Sequence, residues 1–285
     1  MELFNKYSFI SCDYSLDESE IVLFGAPYDG TSSFRPGSRF AASRIRIDSY
    51  GLETYSPYLD LDLLDRKVHD AGDLEFAFGN RESVLDMIND FVDSIYKAGK
   101  YPLMIGGEHL ITLPAVEAAV KHYEDLVILH FDAHTDLRVD YLGEKKSHAT
   151  VIRNIWEFLG DDRIYQFCIR SGLKEEFDWA AEGHTSLTKF NYDNLEEVVN
   201  KIKDKPVYVT IDLDVLDPSI FPGTGTPEPG GISFSDLMKI INTMSTLNII
   251  GADVVELSPD YDPTGVSTAV ASKVIREMLL VLNKK

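Results

Sequence analysis

The chain has 285 residues, 44% of them hydrophobic, and its 47 acidic and 27 basic side chains give a net charge of −20. A chain of this length can bury a large core, and we expect one α/β domain over residues 1–285. The negative charge repels nucleic acid and anionic membranes, so we expect neither as a partner. It would attract small cationic molecules, with solubility alone as the alternative role of the acidic surface.

The two cysteines, Cys12 and Cys168, have no CxxC spacing, which argues against a disulfide framework and a thiolate zinc site. The first 15 residues lack a basic start followed by a long apolar run. No segment reaches the roughly 18 consecutive apolar residues that a membrane span needs. We therefore expect a cytoplasmic protein in a reducing compartment.

Short apolar runs rich in β-branched and aromatic residues alternate along the chain with longer segments of helical periodicity. The apolar runs are typical of buried parallel strands, at 21–25, 101–105, 126–131, 164–169, 207–211 and 249–255. The helical segments are 83–98, 113–123, 233–244 and 268–282. This alternation predicts a doubly wound α/β fold of three layers, with helices on both faces of a parallel sheet.

Polar residues cluster where three of the predicted strands end. The run at 126–131 leads into DAHTD, the run at 207–211 into DLDVLDP, and the run at 101–105 into GGEH. Ligands of doubly wound sheets bind outside the carboxyl ends of the strands, so these segments form the candidate site. If strand geometry continues through DAHTD, its two aspartates and its histidine point the same way. The candidate metal ligands are His109, Asp132, His134, Asp136, Asp212 and Asp214.

Four carboxylates held this close without a cation would repel one another and raise one another's pKa. Their charge of −4 would balance two divalent cations, which predicts a dinuclear centre. Imidazole and carboxylate ligands without thiolate suit manganese better than a thiolate zinc site, with zinc, iron and cobalt as alternatives. We expect four other histidines to be ordinary hydrogen-bonded residues: His69, His122, His130 and His184.

The stretch from Pro218 to Gly231 is rich in glycine and proline and lies between a predicted strand and a predicted helix. Such a composition is typical of a shaped loop. Because it follows an aspartate-rich strand end, we expect it to form a wall of the binding site, with a plain connector as the alternative.

GGEH, DAHTD and DLDVLDP, in this order and at these separations, resemble the ureohydrolase family of arginases and agmatinases. The similarity covers nearly the whole chain and includes GAPYDGTSSFRPGSRFAASRIR at 25–46, SHAT, GTGTPEPGG and DVVELSPDYD. The resemblance implies an arginase-like sheet of eight parallel strands, two Mn²⁺ ions per subunit at its carboxyl edge, and a homotrimer or homohexamer. In the family pattern His109 and Asp136 would bind the first ion, His134 and Asp214 the second, and Asp132 and Asp212 both.

The resemblance also implies hydrolysis of a guanidinium group by a hydroxide that bridges the two metal ions. A guanidinium carbon is a poor electrophile, and coordination lowers the pKa of water from about 15.7 to near 7. Asp136 resembles the family aspartate that passes a proton to the leaving amine, His148 in SHAT the proton-shuttle histidine, and Glu256 in DVVELSP the glutamate that accepts guanidinium hydrogen bonds. The alternatives are a pure ligand role for Asp136, a surface or helix-capping role for His148 and a surface acid at a strand end for Glu256.

The segment after Asp136, LRVDYLGEKKSH, lacks the Asn, Ser and Thr with which arginase-like chains hold an α-amino acid head. This departure favours agmatine, a small cationic guanidino substrate that hydrolysis converts to putrescine and urea. Arg138, Lys145 and Lys146 could instead hold the acidic tail of guanidinobutyrate. Aminopropylagmatine is a third substrate with the same reacting group.

A hypothesis of another class is a non-catalytic homologue that binds metal or polyamine. The intact ligand set argues against it. Thr210 in TIDLD and Cys168 in FCIRS depart from the family pattern, and we expect neither to touch a proposed ligand.

Overall fold

An eight-stranded parallel sheet forms the centre of the protein in the computed structural model, which describes residues 8–283. A separate antiparallel pair, β2 (Tyr55–Ser56) and β3 (Leu61–Asp62), lies outside it. The sheet strands are β1 (Ile21–Ala26), β4 (Val68–Asp73), β5 (Tyr101–Gly106), β6 (Val127–Phe131), β7 (Ile164–Ile169), β8 (Ser186–Lys189), β9 (Pro206–Asp212) and β10 (Asn248–Val255).

The order of the strands across the sheet is β4-β1-β5-β10-β9-β6-β7-β8. All seven neighbouring pairs are parallel, so every strand presents its carboxyl end at the same edge. The four central strands, β5, β10, β9 and β6, have a neighbour on both sides. This places the strand ends that carry GGEH, DAHTD and DLDVLDP in the middle of the sheet, where DAHTD and DLDVLDP follow adjacent strands and β10 separates them from GGEH.

Successive side chains of a strand point to opposite faces of the sheet, and in the central strands both sets are largely apolar. Helices therefore cover both faces. The helices are α1 (Ala41–Ser49), α2 (Arg81–Lys97), α3 (Thr112–Ala119), α4 (Val151–Leu159), α5 (Lys174–Trp179), α6 (Leu195–Ile202), α7 (Phe234–Met244) and α8 (Val266–Val281). Leu23 and Ile105 belong to a core with α1, α6, α7 and α8, whereas Phe24 and Met104 belong to a second core with α2, α3 and α4. The predicted three-layer, doubly wound fold is confirmed.

Local sequence signals set several helix ends. The Asn80 side chain accepts a hydrogen bond from the Ser83 N–H at 3.1 Å and caps α2. At α7 the Ser233 hydroxyl accepts from the Asp236 N–H, and the Asp236 carboxylate accepts from the Ser233 N–H in return, which is a capping box. Among residues 8–283 no helix is long and apolar enough to cross a membrane.

Candidate functional site

The candidate site lies where β5, β10, β9 and β6 end. Asp132 directly follows β6, Asp212 is the last residue of β9, and Glu256 directly follows β10. Since neighbouring parallel strands end at one edge, their terminal side chains converge there. All six predicted metal ligands lie in this region: His109, Asp132, His134, Asp136, Asp212 and Asp214.

Gly107, the second glycine of GGEH, lets the chain after β5 pass close to the loop that follows β1. A Cβ on Gly107 would lie 1.8 Å from the carbonyl oxygen of Tyr28, so glycine is required for this approach. The Glu108 N–H donates to the same carbonyl at 2.7 Å. This turn leads into a short 3₁₀ helix, His109–Ile111, and points the first histidine at the carboxylates.

The ring of His109 is buried among three of these carboxylates. Its Nδ1 lies 3.1 Å from Asp132 Oδ2, 3.1 Å from Asp136 Oδ2 and 3.4 Å from Asp212 Oδ2. Burial lowers the pKa of His109, but the three carboxylates outweigh it and hold the pKa well above its usual value. Nevertheless Nδ1 makes no hydrogen bond of normal geometry. Three carboxylate oxygens surround this nitrogen, and it makes a hydrogen bond with none of them. This arrangement fits a cation bound by the imidazole and the carboxylates together.

The second histidine, His134, faces a second pair of oxygens. Its Nδ1 lies 3.0 Å from Asp214 Oδ2 and 3.5 Å from Asp132 Oδ1. Asp132 therefore directs one oxygen toward His109 and the other toward His134. Burial raises the pKa of Asp132, but contacts with His109, His130 and His134 outweigh it, so the pKa lies well below its usual value.

Asp212 shows the electrostatic cost of gathering these acids. Burial raises its pKa well above the usual value, and the charges of Asp214 and Asp132 raise it further, against the opposing contact with His109. Divalent cations would relieve this repulsion and favour the ionised carboxylates.

The DAHTD segment continues the course of β6 before it turns. β6 ends at Phe131, but an isolated parallel bridge joins His134 to Ser171, so strand-like pairing extends to His134. The extended course ends at Asp136, which has a left-handed backbone with φ of 52°. The predicted strand geometry therefore fits Asp132 and His134, whereas a turn positions Asp136. Glu256 also has a left-handed backbone, with φ of 67°, and strained residues of this kind are frequent at functional sites.

A cavity of about 250 Å³ opens above the cluster. Glu256 and His148, both predicted catalytic residues, line it together with Asp136. Thr226, from the Gly/Pro-rich stretch, also lines it, which confirms that this loop forms a wall of the cavity. The cavity is concave and polar at its base, and its size suits a small molecule.

Glu256 is buried and accepts a hydrogen bond from the His109 N–H at 2.9 Å. Burial raises its pKa to about 8, with a further contribution from Glu108 and an opposing one from His148. For His148, burial lowers the pKa, but Glu108, Glu256 and Asp136 outweigh it and raise the pKa above its usual value. A cationic ligand beside Glu256 would favour its ionised form.

The three cations considered for an acidic substrate tail occupy different places. Arg138 lines the cavity, and its guanidinium lies over the Tyr141 ring at 4.5 Å from the centroid. Lys146 pairs with Glu82 at 2.8 Å, and neither it nor the exposed Lys145 lines this cavity. Of these three residues, only Arg138 is placed to contact a molecule bound in the cavity.

Thr210 touches a proposed ligand, so the expectation that it would not was wrong. Its hydroxyl lies 2.9 Å from His109 Nε2 and donates to Asp253 Oδ1 at 2.6 Å. The sequence could have indicated this contact, because Thr210 precedes Asp212 by two residues and so lies on the same face of β9. Cys168 is buried in the core away from the cavity lining.

His130 also contacts a proposed ligand, which was not expected from the sequence. It is buried and hydrogen-bonded as expected, yet its Nε2 lies 2.8 Å from Asp132 Oδ2. The remaining three histidines bond groups outside the site: His69 with the Tyr14 carbonyl, His122 with Asp93 and His184 with Asp161.

The donor set divides into two overlapping groups whose ligand atoms lie within 4.8 Å of one another. Oxygen and imidazole nitrogen donors without sulfur suit hard or borderline divalent cations. The unbonded Nδ1 of His109 and the raised pKa of Asp212 both fit cations at this position. The two groups are His109, His130, Asp132 and Asp136, and Asp132, His134 and Asp214.

Residues 19–281 match the model of the Arginase family. An agmatinase of Bacillus subtilis (strain 168) is 51% identical over 282 residues, which span 98% of this chain and 97% of that protein. A crystal structure from Clostridium difficile superposes with a TM-score of 0.93 at 52% identity, covering 94% of this chain and 99% of that one. The agmatine ureohydrolase of Thermoplasma volcanium superposes with a TM-score of 0.89 at 34% identity, covering 99% and 94%.

Proposed function

Because the chain belongs to the arginase family and is a ureohydrolase acting on C–N bonds, we propose that it hydrolyses agmatine to putrescine and urea. The observation that carries this proposal is the geometry of Asp132, which offers one oxygen beside His109 and the other beside His134. A carboxylate in this position suits a ligand shared by two cations. The agmatinases among the relatives, at about 50% identity over nearly the full chain, favour this substrate.

Six residues would hold two manganese ions in our proposal. His109 and Asp136 belong to one ion, His134 and Asp214 to the other, and Asp132 and Asp212 to both. When bound, the two ions would lower the pKa of water and so would supply a hydroxide nucleophile at neutral pH.

Glu256 would bind and orient the guanidinium group. Its carboxylate borders the cavity beside the cluster, and a carboxylate matches the planar fork of guanidinium N–H donors. Because the group is buried, its charge interacts with a bound cation in a medium of low polarity. The guanidinium would then present its carbon toward the metal ligands.

The C–N bond to the alkylamine breaks well only if that nitrogen gains a proton, because a free amide anion is a very poor leaving group. Asp136, which lines the cavity and lies 3.1 Å from His109, would accept the proton of the hydroxyl group added to the guanidinium carbon and pass it to the departing amine nitrogen. His148 would exchange protons between the cavity and solvent and so supply the second proton to the amine, since imidazole titrates near neutral pH. The oxygen of water therefore ends in urea, its two protons balance those that the amine gains, and the amine leaves protonated.

Guanidinobutyrate is the second candidate substrate, and Arg138 is the observation that favours it. A guanidinium in the cavity lining would attract a carboxylate tail and repel the ammonium of agmatine. The Arg138 guanidinium lies over the Tyr141 ring, and this cation–π contact helps to hold it in the cavity lining. Aminopropylagmatine would require the same guanidinium chemistry with a longer tail.

Several further parts of the proposal rest on the sequence. The assembly into a homotrimer or homohexamer comes from the family resemblance, and manganese comes from that resemblance and from the imidazole and carboxylate donors. The cytoplasmic location comes from the two unpaired cysteines, and the single domain over residues 1–285 comes from the chain length. The gathered ligand set supports an enzyme over a non-catalytic metal- or polyamine-binding homologue.

The test is urea release by the manganese-loaded protein from agmatine, arginine, guanidinobutyrate and aminopropylagmatine at equal concentrations. We expect agmatine to have the highest kcat/KM, and putrescine to form in equal amount to urea. Arg138→Gln should raise the ratio of agmatine to guanidinobutyrate turnover if the guanidinium attracts the acidic tail. Preference of the unchanged protein for guanidinobutyrate would replace the substrate and keep the reaction.

A further inference from the structure

Thr31, in the loop after β1, connects a buried carboxylate to His148. Its N–H donates to Glu108 Oε1 at 2.6 Å, and its hydroxyl makes a short hydrogen bond to Glu108 Oε2. The same hydroxyl oxygen accepts from the His148 backbone N–H at 3.1 Å and lies 3.4 Å from His148 Nδ1. Glu108 is fully buried and lies 3.6 Å from that nitrogen. The threonine therefore holds both the backbone and the ring of His148.

The hydrogen-bond roles determine which ring nitrogen carries the proton. A hydroxyl has one proton to give and two lone pairs to offer. Thr31 donates its proton to Glu108, so its oxygen can only accept from the two nitrogens of His148 that it faces. Nδ1 must then carry a hydrogen, and in the neutral ring Nε2 keeps its lone pair.

The other side of the ring faces the cavity and solvent. His148 Nε2 lies 3.2 Å from the hydroxyl of Ser33, which is exposed and lines the cavity. The Tyr141 ring meets the imidazole edge to face, with 5.6 Å between centroids, and limits its rotation. The basic nitrogen is thus held where it can exchange a proton with the cavity.

We propose that Thr31 is a positioning residue that holds His148 with Nδ1 protonated and Nε2 directed at the cavity. This inference rests on the proposed ureohydrolase reaction, in which His148 moves protons. Thr31 acts through the histidine and is itself far along the chain from every proposed metal ligand. It is a better test residue than Glu108, whose replacement would also disturb the adjacent His109.

The experiment is a double-mutant cycle on the manganese-loaded enzyme with agmatine. Thr31→Val keeps the size of the side chain and removes the hydroxyl, Thr31→Ser restores the hydroxyl, and His148→Asn removes the group that Thr31 positions. Thr243→Val is the matched control, because the Thr243 hydroxyl donates to the Lys239 carbonyl within α7. For each variant kcat, KM, the pH profile, the bound manganese and the thermal midpoint are measured.

We expect Thr31→Val to lower kcat about ten- to a hundredfold, as lost orienting contacts do, with little change in KM or bound metal. Its pH profile should shift, and Thr31→Ser should recover most of kcat and the original profile. In the His148→Asn background Thr31→Val should cost no further activity, because two residues that act through one group are not additive.

Three results would overturn the inference: an unchanged kcat in Thr31→Val, an equal loss of kcat with and without His148, or loss of manganese from the variant. Unfolding of Thr31→Val would show in its thermal midpoint, and Thr31→Ala, which also removes the hydroxyl, would then replace it in the same cycle with the same expected results. If the unchanged protein released no urea from any guanidino compound, the proposed function itself would fail, which is a separate outcome.

Discussion

His130 Nε2 lies 2.8 Å from Asp132 Oδ2, the same carboxylate oxygen that lies 3.1 Å from His109. On its other side, His130 Nδ1 accepts a hydrogen bond from the Gln166 side-chain amide at 3.1 Å. Nε2 is therefore the protonated nitrogen and donates to the carboxylate. A buried chain of side chains thus fixes the orientation of the acid that we assign to both metal ions.

His130→Asn should weaken manganese binding about ten- to a hundredfold, the usual effect of losing a group that orients a ligand. The dependence of urea release on manganese concentration should shift accordingly, while kcat at saturating metal changes little. His122→Asn is the matched control, since His122 pairs with Asp93 outside the site. An unchanged manganese affinity in His130→Asn would show that the contact does not support the metal site.

Asp132→Ala and His134→Ala should differ in the number of metal ions that they lose. Asp132 faces both histidines, so its loss should leave neither ion firmly bound, and no urea should form. His134 faces Asp214 and only one oxygen of Asp132, so its loss should remove one ion preferentially. Metal content after dialysis measures both, with the exposed Asp204→Ala as control. Retention of two ions in Asp132→Ala would contradict the shared-ligand assignment.

His148→Asn should keep both metal ions and lower kcat about a hundred- to ten-thousandfold, the range for loss of a proton-transferring group. His148 lines the cavity but is not among the clustered metal-ligating atoms. The change should also flatten the limb of the pH profile that this histidine sets. Metal analysis and steady-state kinetics on one preparation test both parts, and loss of metal would contradict the assignment.

Asp262 gives a prediction about stability at low pH. Its carboxylate accepts hydrogen bonds from the Ser267 N–H at 2.7 Å and the Thr264 N–H at 3.1 Å, at the start of α8. Burial raises its pKa, but the hydrogen bonds of Thr264 and Ser267 outweigh it and hold the pKa at about 2. Because the folded pKa is lowered, the stabilisation is present above the ordinary value of 3.8 and is lost as pH falls toward 2.

Asp262→Asn should therefore reduce the free energy of unfolding by about 1–3 kcal/mol at pH 7, the range for lost hydrogen bonds to a charged group. The difference from the unchanged protein should shrink as the pH falls from about 4 toward 2. Denaturant unfolding at several pH values measures this, with the exposed Asp260→Asn as control. A constant difference across this range would show that the charge of Asp262 is not the cause.

The centre of the sheet could be predicted from sequence because its strands are buried on both faces. The six predicted strands all exist, and the run 164–169 matches Ile164–Ile169 at both ends. The two strands missed by periodicity, Val68–Asp73 and Ser186–Lys189, lie at the sheet edges and are partly exposed. Their polar residues hide the apolar pattern, and the expectation of eight strands came from the family resemblance.

The acids and histidines of the candidate site could be predicted from the sequence, but the residues that contact and orient them were not predicted. The motifs marked the proposed ligands, because several carboxylates gathered at neighbouring strand ends would repel one another without a cation. The roles of Thr31 and Thr210 depend on which loop and strand meet in space, and the sequence separation from Thr31 to His148 is 117 residues. Of the three basic residues after Asp136, only Arg138 lines the cavity, since Lys146 pairs with Glu82 and Lys145 is exposed.

Metal-dependent hydrolysis of agmatine can be measured by titrating the chelator-treated protein with manganese while urea and bound metal are read together. We expect no urea without metal, and activity that reaches a plateau at two manganese ions per chain. Full activity after chelation, or no urea from agmatine at any metal loading, would rule out the proposed reaction.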